Sequence, residues 1–286
     1  MASQPDPGED NESSAADVDA EHRYVNRELS WLAFNERVLA EAANESYPLL
    51  ERLRFLSISG SNLDEFVMIR VAGLVGQVQR GIGRMAIDGA TPTQQLAAIR
   101  QRVRGLSDAQ QVMWRDLRAR LAEAGIHVAD EERVSEEAYA WLRTHFIEEI
   151  APVVTPQAID PAHPFPFVAN GGTGLLFTLR RDTDGEAMVV MVLIPPALPR
   201  FIRVPGEEPV YISIESLIRR FADHLFPGFA ILGDGAFRVL RDSDIEIEED
   251  AEDLVRYFRS AIQRRRRGQA IQLELEEGIH PEAEQL

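Results

Sequence analysis

The stretch from residue 26 to residue 42, NRELSWLAFNERVLAEA, decides the fold of the amino-terminal part of this chain. Asn26 is a residue type that caps helices, Glu28 would lie in the first turn, and apolar residues then recur every three or four positions. At about 100° per residue, six apolar side chains fall on one side: Trp31, Leu32, Phe34, Val38, Leu39 and Ala42. The stretch therefore predicts an amphipathic helix that packs by that side.

Two further helices are expected next. Pro48 is tolerated in a first helical turn, and the leucines of residues 49–56 continue an apolar stripe that should end near Gly60. A third helix should open at Ser61 or Asn62, because both residue types cap helices and acidic residues follow in the first turn.

A long fourth helix is predicted from Thr91 or Thr93 to about Ala124, where Gly125 ends it. Four helices with short connections predict an antiparallel bundle. We therefore expect a helical amino-terminal domain over residues 23–125.

Beyond this bundle the apolar pattern changes. A helix is still expected over residues 134–150, but Leu175–Leu179 and Met188–Ile194 are short apolar runs joined by a linker of hairpin length. From Ile271 to Leu275 apolar and polar residues alternate, as in a half-buried strand. The fold class is therefore α+β and multidomain, a helical bundle followed by an α+β domain at residues 126–286.

Length and composition set the outer limits. The 286 residues suffice for two modest domains, and 45% hydrophobic with 27% charged residues is ordinary for a globular protein. We expect residues 1–22, which are acidic and poor in large apolar groups, to form a disordered tail. No run approaches the roughly 18 apolar residues of a membrane span, and the amino terminus does not resemble an export signal. An integral membrane segment is not expected, whereas peripheral membrane association stays open.

The basic residues are unusual in kind and in place. All 30 are arginine, and the lack of lysine excludes a complete Walker P-loop and a Schiff-base lysine. Cysteine is absent, which excludes disulfides and a thiolate metal site. A reducing cytoplasm is the expected compartment. The formal net charge of −17 argues against nucleic acid as a partner. Residues 23–120, however, hold 14 arginines against 10 acidic residues, so one segment is basic within an acidic protein.

The segment 60–66, GSNLDEF, is the most informative candidate site. A helix amino terminus attracts anions, but Asp64 and Glu65 would repel a phosphate there. The carboxamide of Asn62 offers the donors and the acceptor that an adenine edge requires. The alternative is that Asn62 or Ser61 only caps the helix, and spacing alone leaves both interpretations open.

Two more polar side chains fall on faces where apolar ones are expected. Asn35 lies on the apolar side of the first helix, and Arg70 lies on that of the third. Arg70 either pairs with Glu36 or Asp64, or it reaches into a shared cleft and binds a phosphate through its planar fork.

Other conspicuous residues are weaker candidates. Arg264 to Arg267 could bind a polyanion, or they could form the solvated last turn of a helix. His163 lies in a proline-rich turn without a second metal-ligating partner nearby. We therefore assign no catalytic residue and no metal ligand.

The first helices resemble the bacterial polyphosphate kinase family. The run YVNRELSWLAFNERVL from Tyr24 to Leu39 looks like the opening signature of that family. Further blocks with the same resemblance are residues 48–56 (PLLERLRFL), 61–66 (SNLDEF) with Arg70 and Val71, 163–167 (HPFPF), 194–195 with 199–201, and 266–273. The resemblance runs from about residue 23 to the end of the chain.

The resemblance implies an ATP-polyphosphate phosphotransferase that reversibly moves the terminal phosphate of ATP onto inorganic polyphosphate through a phosphohistidine. It implies Mg²⁺ with ATP as cofactor in the complete enzyme, ADP as the other nucleotide, and a homodimer or homotetramer formed through the head domain. The family's catalytic histidines lie in two phospholipase D-like domains that this chain does not resemble. We therefore expect those domains to be absent, the head to be cut slightly short, and the chain alone to be inactive.

Only one functional residue of the family maps onto this sequence. Its nucleotide-contacting asparagine falls on Asn62, so the resemblance implies an ATP contact there, with Asn35 and Arg70 as supports of the pocket wall. Two rival functions remain: a non-catalytic remnant that acts as a dimerisation or regulatory module, and an arginine-rich module that binds polyanions.

Overall fold

The computed structural model describes residues 24–83, 85–129, 134–160, 165–243 and 268–284. Over these ranges the chain is α+β, which confirms the predicted fold class. Helices come first, and a mixed region with two sheets follows.

The helices bury apolar stripes of the kind that the sequence predicts. In chain order they are α1 (Arg27–Ala43), α2 (Leu49–Phe66), α3 (Ala72–Gln79), α4 (Pro92–Glu123), α5 (Glu136–His145), α6 (Ile214–Arg220) and α7 (Pro281–Glu284). Two π-helical turns, Val67–Val71 and Phe146–Ile150, continue α2 and α5, and a 3₁₀ turn spans Ala222–His224.

The strands include every run that alternation or apolar content singles out. They are β1 (His127–Ala129), β2 (Pro156–Ile159), β3 (Thr173–Arg181), β4 (Ala187–Leu193), β5 (Phe201–Val204), β6 (Val210–Ser213), β7 (Phe229–Arg241) and β8 (Ala270–Leu275).

Capping residues fix the ends of the long helices where the sequence predicts them. The Asn26 side chain accepts hydrogen bonds from the backbone N–H groups of Glu28 and Leu29. Thr91 and Gln94 form a capping box at the start of α4. Gly125, with φ of +81°, follows its end. These signals are local in sequence, which is why they could be predicted.

The expected break at Gly60 is wrong. Helix α2 continues through Gly60 to Phe66, so Asn62 lies inside a helix and caps nothing. A glycine costs a helix interior only about 1 kcal/mol relative to alanine. Burial of Leu63 and Phe66 further along the same helix outweighs that cost, because a fully buried apolar side chain contributes about 1.5–3 kcal/mol.

The buried side of α1 is narrower than predicted. Leu32, Leu39 and Ala42 enter the helical core, but the Phe34 side chain is 47% exposed. Asn35 takes its place on the buried face and is 0% exposed.

The larger sheet has the strand order β2-β4-β3-β7-β8 and is antiparallel throughout. The smaller sheet has the order β1-β6-β5, and its strand β1 directly follows α4. One face of the larger sheet packs against α5 and α6, and the other face is covered by Ile279 and the α7 residue Ala283. A Cβ atom on Gly235 of β7 would lie 2.3 Å from Cγ1 of Ile279, so a glycine is required for that close approach.

Strand β7 connects the sheet with the helices. Leu240, near its end, is fully buried in the core formed by α1, α2 and α4. The helical bundle and the larger sheet therefore share a packed boundary, and α2 lies at it.

Candidate functional site

Asn62 lies on α2 and is half-buried. Because the helix is unbroken here, its backbone N–H takes part in the helical hydrogen-bond ladder and is not available to a ligand. The anion site that a helix amino terminus would have supplied at residues 60–66 is therefore not formed. Only the side chain of Asn62 can contact a ligand.

Asn35 and Asn62 form an amide pair between α1 and α2. Nδ2 of Asn62 donates to Oδ1 of Asn35 at 3.3 Å, and Nδ2 of Asn35 donates to the backbone carbonyl of Ser59 at 2.9 Å. From α4, Nε2 of Gln110 donates to Oγ of Ser59 at 2.9 Å. A buried amide left without partners would cost about 1–3 kcal/mol, and these bonds explain why α1 tolerates a polar residue on its core face.

This pairing fixes which way the Asn62 carboxamide faces. Since Oδ1 of Asn35 accepts a hydrogen bond, the group that faces it must be the amide nitrogen of Asn62. The second N–H of that nitrogen and the oxygen Oδ1 of Asn62 have no partner within the described residues. The side chain therefore presents one donor and one acceptor in a fixed order.

An aromatic layer lies one helical turn away. Phe66 follows Asn62 by four positions, and Trp31 precedes Asn35 by four, so both pairs occupy the same interface. The rings of Trp31 and Phe66 are stacked, with centroids 4.7 Å apart and planes inclined by 14°. This stack supports the amide pair from one side and places a fluorescent side chain beside it.

Arg70 does not occupy the place that the helical wheel predicts. Its side chain is exposed, and within the described residues it makes no hydrogen bond or ion pair. The expected partners are engaged elsewhere, Glu36 with Arg102 and Asp64 with Arg238. The reason is the π-helical turn at Val67–Val71, where i→i+5 bonding breaks the 3.6-residue period on which the wheel rests.

The same π-helical turn is held by the sheet region. The backbone N–H of Ser243 donates to the carbonyl of Met68 at 3.0 Å, and Nδ2 of Asn170 lies 3.0 Å from the Met68 sulfur. Oδ1 of Asn170 in turn accepts from the N–H of Arg241 at 2.8 Å. The irregular turn is therefore stabilised by contacts from outside its own helix.

An ion-pair network joins α2 to the sheet two residues beyond Asn62. The Arg238 guanidinium binds both carboxylate oxygens of Asp64, one of them at 3.0 Å, and also donates to Glu274 at 3.3 Å. Burial lowers the pKa of Arg238, but the hydrogen bonds and negative charges of Asp64 and Glu274 outweigh it and hold that pKa above its usual value. The guanidinium is thus a permanent charge in this network.

Sequence reasoning missed this contact. The sequence suggests Asp64 only as a first-turn residue and as a partner of Arg70, whereas Arg238 is 174 positions away. One signal was available, because no basic residue lies three or four positions from Asp64 on its own helix. Such a carboxylate needs a partner from another element when it is half-buried.

Several predictions fall outside the described residues. These are the acidic tail at 1–22, His163, and Arg264 to Arg267. Among the residues that the structure does describe, no three metal-ligating side chains of His, Asp or Glu come together. In the same ranges, no helix has the length and apolar content needed to cross a bilayer.

Comparison with protein families gives two matches that together span most of the chain. Residues 24–129 match the polyphosphate kinase N-terminal domain, and residues 137–286 match the polyphosphate kinase middle domain.

Individual relatives carry the same name. A polyphosphate kinase from Erythrobacter litoralis is 74% identical over 264 residues, which are 92% of this chain and 37% of the relative. One from Mycobacterium marinum is 41% identical over 266 residues, covering 89% of this chain and 36% of the relative. The crystal structure of polyphosphate kinase from Porphyromonas gingivalis superposes with a TM-score of 0.68 at 29% identity, covering 85% of this chain and 38% of that one. The chain thus spans somewhat more than a third of the length of the relatives that it matches.

Proposed function

Because this chain belongs to the polyphosphate kinase family, we propose that it forms the amino-terminal and head part of an enzyme that reversibly transfers the terminal phosphate of ATP to inorganic polyphosphate. The phosphohistidine of that reaction is assigned to no histidine of this chain. By itself the chain binds nucleotide weakly and transfers no phosphate. The boundary between its helical domain and its head is Gly125, where α4 ends with a left-handed glycine.

Within that enzyme, Asn62 contacts the adenine of ATP or ADP. The observation that carries this assignment is the fixed Asn62 amide, whose Oδ1 and second N–H have no partner in the described residues. Adenine presents an amino group at N6 and an acceptor at N7 side by side, and an asparagine meets both at once. The oxygen of Asn62 would accept from N6, and its nitrogen would donate to N7.

Asn35 supports this contact by preventing a flip of the Asn62 amide. A flipped amide would place two oxygens against each other, so the order of donor and acceptor is maintained. Arg70 is a second support of the same wall, and its exposed guanidinium is available to a phosphate. Magnesium enters the complete enzyme with the nucleotide, and none of its ligands is assigned to this chain.

The head supplies the contact for a homodimer or homotetramer. Exposed apolar side chains on it include Phe201, Ile231, Leu232, Leu273 and Leu275. The last two belong to β8, which lies at the edge of the larger sheet. Light scattering during size-exclusion chromatography tests this part of the proposal, and a monomer at all concentrations would contradict it.

The adenine contact is tested by comparing ATP with inosine triphosphate, in which a carbonyl replaces the amino group. Binding is followed by Trp31 fluorescence after Trp114 and Trp141 have been replaced by Phe. We expect the unmodified site to prefer ATP by about tenfold, because a bidentate pair provides about 1–3 kcal/mol of discrimination. Asn62→Ala should abolish the preference.

Asn35→Ala should also reduce the preference, since the Asn62 amide is then free to flip toward either base. Asn44→Ala, which removes an exposed carboxamide at the end of α1, is the matched control and should leave the ratio unchanged. An Asn62→Ala variant that still distinguishes ATP from inosine triphosphate would refute the assignment. Polyphosphate synthesis from ATP by the purified chain would refute its inactivity.

A further inference from the structure

A cleft of about 660 Å³ lies between α2 and α4 on one side and β7 and β8 on the other. We call it the α4–β8 cleft, and its polar lining includes Asp64, Arg100, Arg104, Ser107, Arg238 and Glu274. Asn62 does not line it, because its amide faces α1 on another side of α2. The cleft is therefore separate from the adenine contact proposed above.

A polar stripe of α4 forms one wall of the cleft. Arg100, Arg104, Ser107 and Gln111 follow one another at spacings of four, three and four residues and so share one helix face. Both arginines are exposed, and within the described residues neither makes a hydrogen bond or an ion pair. They differ in this from Arg102 on the same helix, which binds both oxygens of Glu36.

The carboxylates that line the cleft do not neutralise these arginines. Asp64 of α2 and Glu274 of β8 are both bound by Arg238. The other oxygen of Glu274 also accepts a hydrogen bond from Gln272 at 2.9 Å. Among the described residues, the cleft thus carries three guanidinium groups against two carboxylates, and the two on α4 have no partner there.

The floor of the cleft leaves room for a ligand. A Cβ atom added to Gly60 would meet no atom within 4 Å, so the backbone of α2 is open to the cleft at this point. Apolar side chains of Leu63, Val67 and Val71 surround it. A volume of about 660 Å³ lies within the range of about 300–1,000 Å³ that is typical of small-molecule sites.

We propose that the α4–β8 cleft binds a diphosphate group between Arg100 and Arg104. Each guanidinium presents a planar fork of N–H donors that matches the oxygens of one phosphate. Side chains four positions apart on a helix are separated by about 5–6 Å at their Cβ atoms, so the two forks reach adjacent phosphates. Ser107 and Gln111 add neutral hydrogen-bonding groups on the same face. The diphosphate comes either from inorganic pyrophosphate or from a nucleoside diphosphate.

Calorimetric titration of the chain with pyrophosphate at low ionic strength tests this proposal. We expect saturable binding at one site, and Arg100→Ser/Arg104→Ser should weaken it by about tenfold or more, the equivalent of at least 1.4 kcal/mol. The control Arg37→Ser/Arg54→Ser removes the same charge from exposed arginines outside the cleft and should leave affinity nearly unchanged. Circular dichroism verifies that each variant is folded.

A variant that keeps the charge provides an independent check of the location. Gly60→Leu places a bulky side chain in the floor of the cleft and should weaken pyrophosphate binding as well. The proposal fails if the unmodified chain does not bind pyrophosphate, if both arginine double variants lose affinity equally, or if Gly60→Leu binds as tightly as the unmodified chain.

Titration with ADP in an Asn62→Ala background distinguishes the two sources of the diphosphate. Binding of ADP that pyrophosphate displaces would identify a nucleoside diphosphate as a ligand, whereas binding of pyrophosphate alone would identify the inorganic form. Either result supports the cleft, and neither depends on the adenine contact at Asn62.

Discussion

Removal of Arg238 should loosen the boundary between α2 and the larger sheet more than removal of either carboxylate that it binds. In Arg238→Ala, Asp64 loses both of its hydrogen bonds and Glu274 keeps only the one from Gln272. In Asp64→Ala, by contrast, the guanidinium keeps Glu274. The two single substitutions should therefore differ in cost.

The size of the effect follows from geometry and exposure. The side chains of Arg238 and Asp64 are 32% and 26% exposed, so this pair is intermediate between an exposed and a buried ion pair. An exposed ion pair contributes about 0–1 kcal/mol, whereas disruption of a buried one costs about 3–5 kcal/mol. We expect about 2–3 kcal/mol for Arg238→Ala and about 1–2 kcal/mol for Asp64→Ala, with a coupling energy of about 1–2 kcal/mol between them.

Urea denaturation followed by tryptophan fluorescence measures these energies for both single variants and the double variant. The pair of Glu36 and Arg102 is a suitable control, because it is also bidentate, at 2.5 Å for each bond, but more exposed at 37% and 45%. Its coupling should be clearly smaller, because solvent screens an exposed ion pair. A coupling of Asp64 with Arg238 no larger than that of the control would refute the reasoning that partial burial strengthens the contact.

Three further substitutions should change the stability of the fold. Gly60→Ala should raise the free energy of unfolding by about 0.5–1 kcal/mol, because alanine favours the helix and its methyl group meets no atom within 4 Å. Gly235→Ala should lower the free energy of unfolding by about 1–3 kcal/mol, because the new Cβ would overlap Ile279. Equal effects of the two substitutions would contradict both arguments. Asn35→Ala should cost about 1–3 kcal/mol in the same assay, because it removes the buried hydrogen bond to the Ser59 carbonyl and the acceptor of Asn62. A neutral result would show that this buried network is not stabilising.

The parts of the fold that could be predicted are those with local causes. Asn26 and Thr91 begin helices through hydrogen bonds with their immediate neighbours. Gly125 ends a helix through its left-handed backbone conformation. The alternation from Ile271 to Leu275 likewise predicts that a strand forms. It does not predict which side is buried, because Leu273 and Leu275 are 59% and 39% exposed. The correctly predicted elements depend on chemistry within a few residues, so the sequence pattern is sufficient for them.

The failures have tertiary causes. Gly60 looks like a helix terminator in isolation, but the packing of the residues beyond it keeps the helix intact. The helical wheel predicts Arg70 on the buried side, but its side chain is exposed because Val67–Val71 forms a π-helix. A hydrogen bond from Ser243 helps to stabilise that π-helix. The pairing of Asn35 with Asn62 depends on how α1 and α2 face each other. The sequence alone singles out Asn35 as a polar residue on an apolar face and Asn62 as a candidate nucleotide contact, but it does not pair them.

The π-helical turn at Val67–Val71 changes the phase of the long helix that runs from Leu49 to Gln79. Such a turn is equivalent to one residue inserted into an α-helix, so the segments before and after it are rotated by about 100° relative to a continuous helix. If one residue of the turn were deleted, a regular helix would form and Asp64 would rotate away from Arg238 while α3 kept its packing. The extra residue therefore sets the relative rotation that lets a single helix pack within the bundle at one end and bind the sheet at the other.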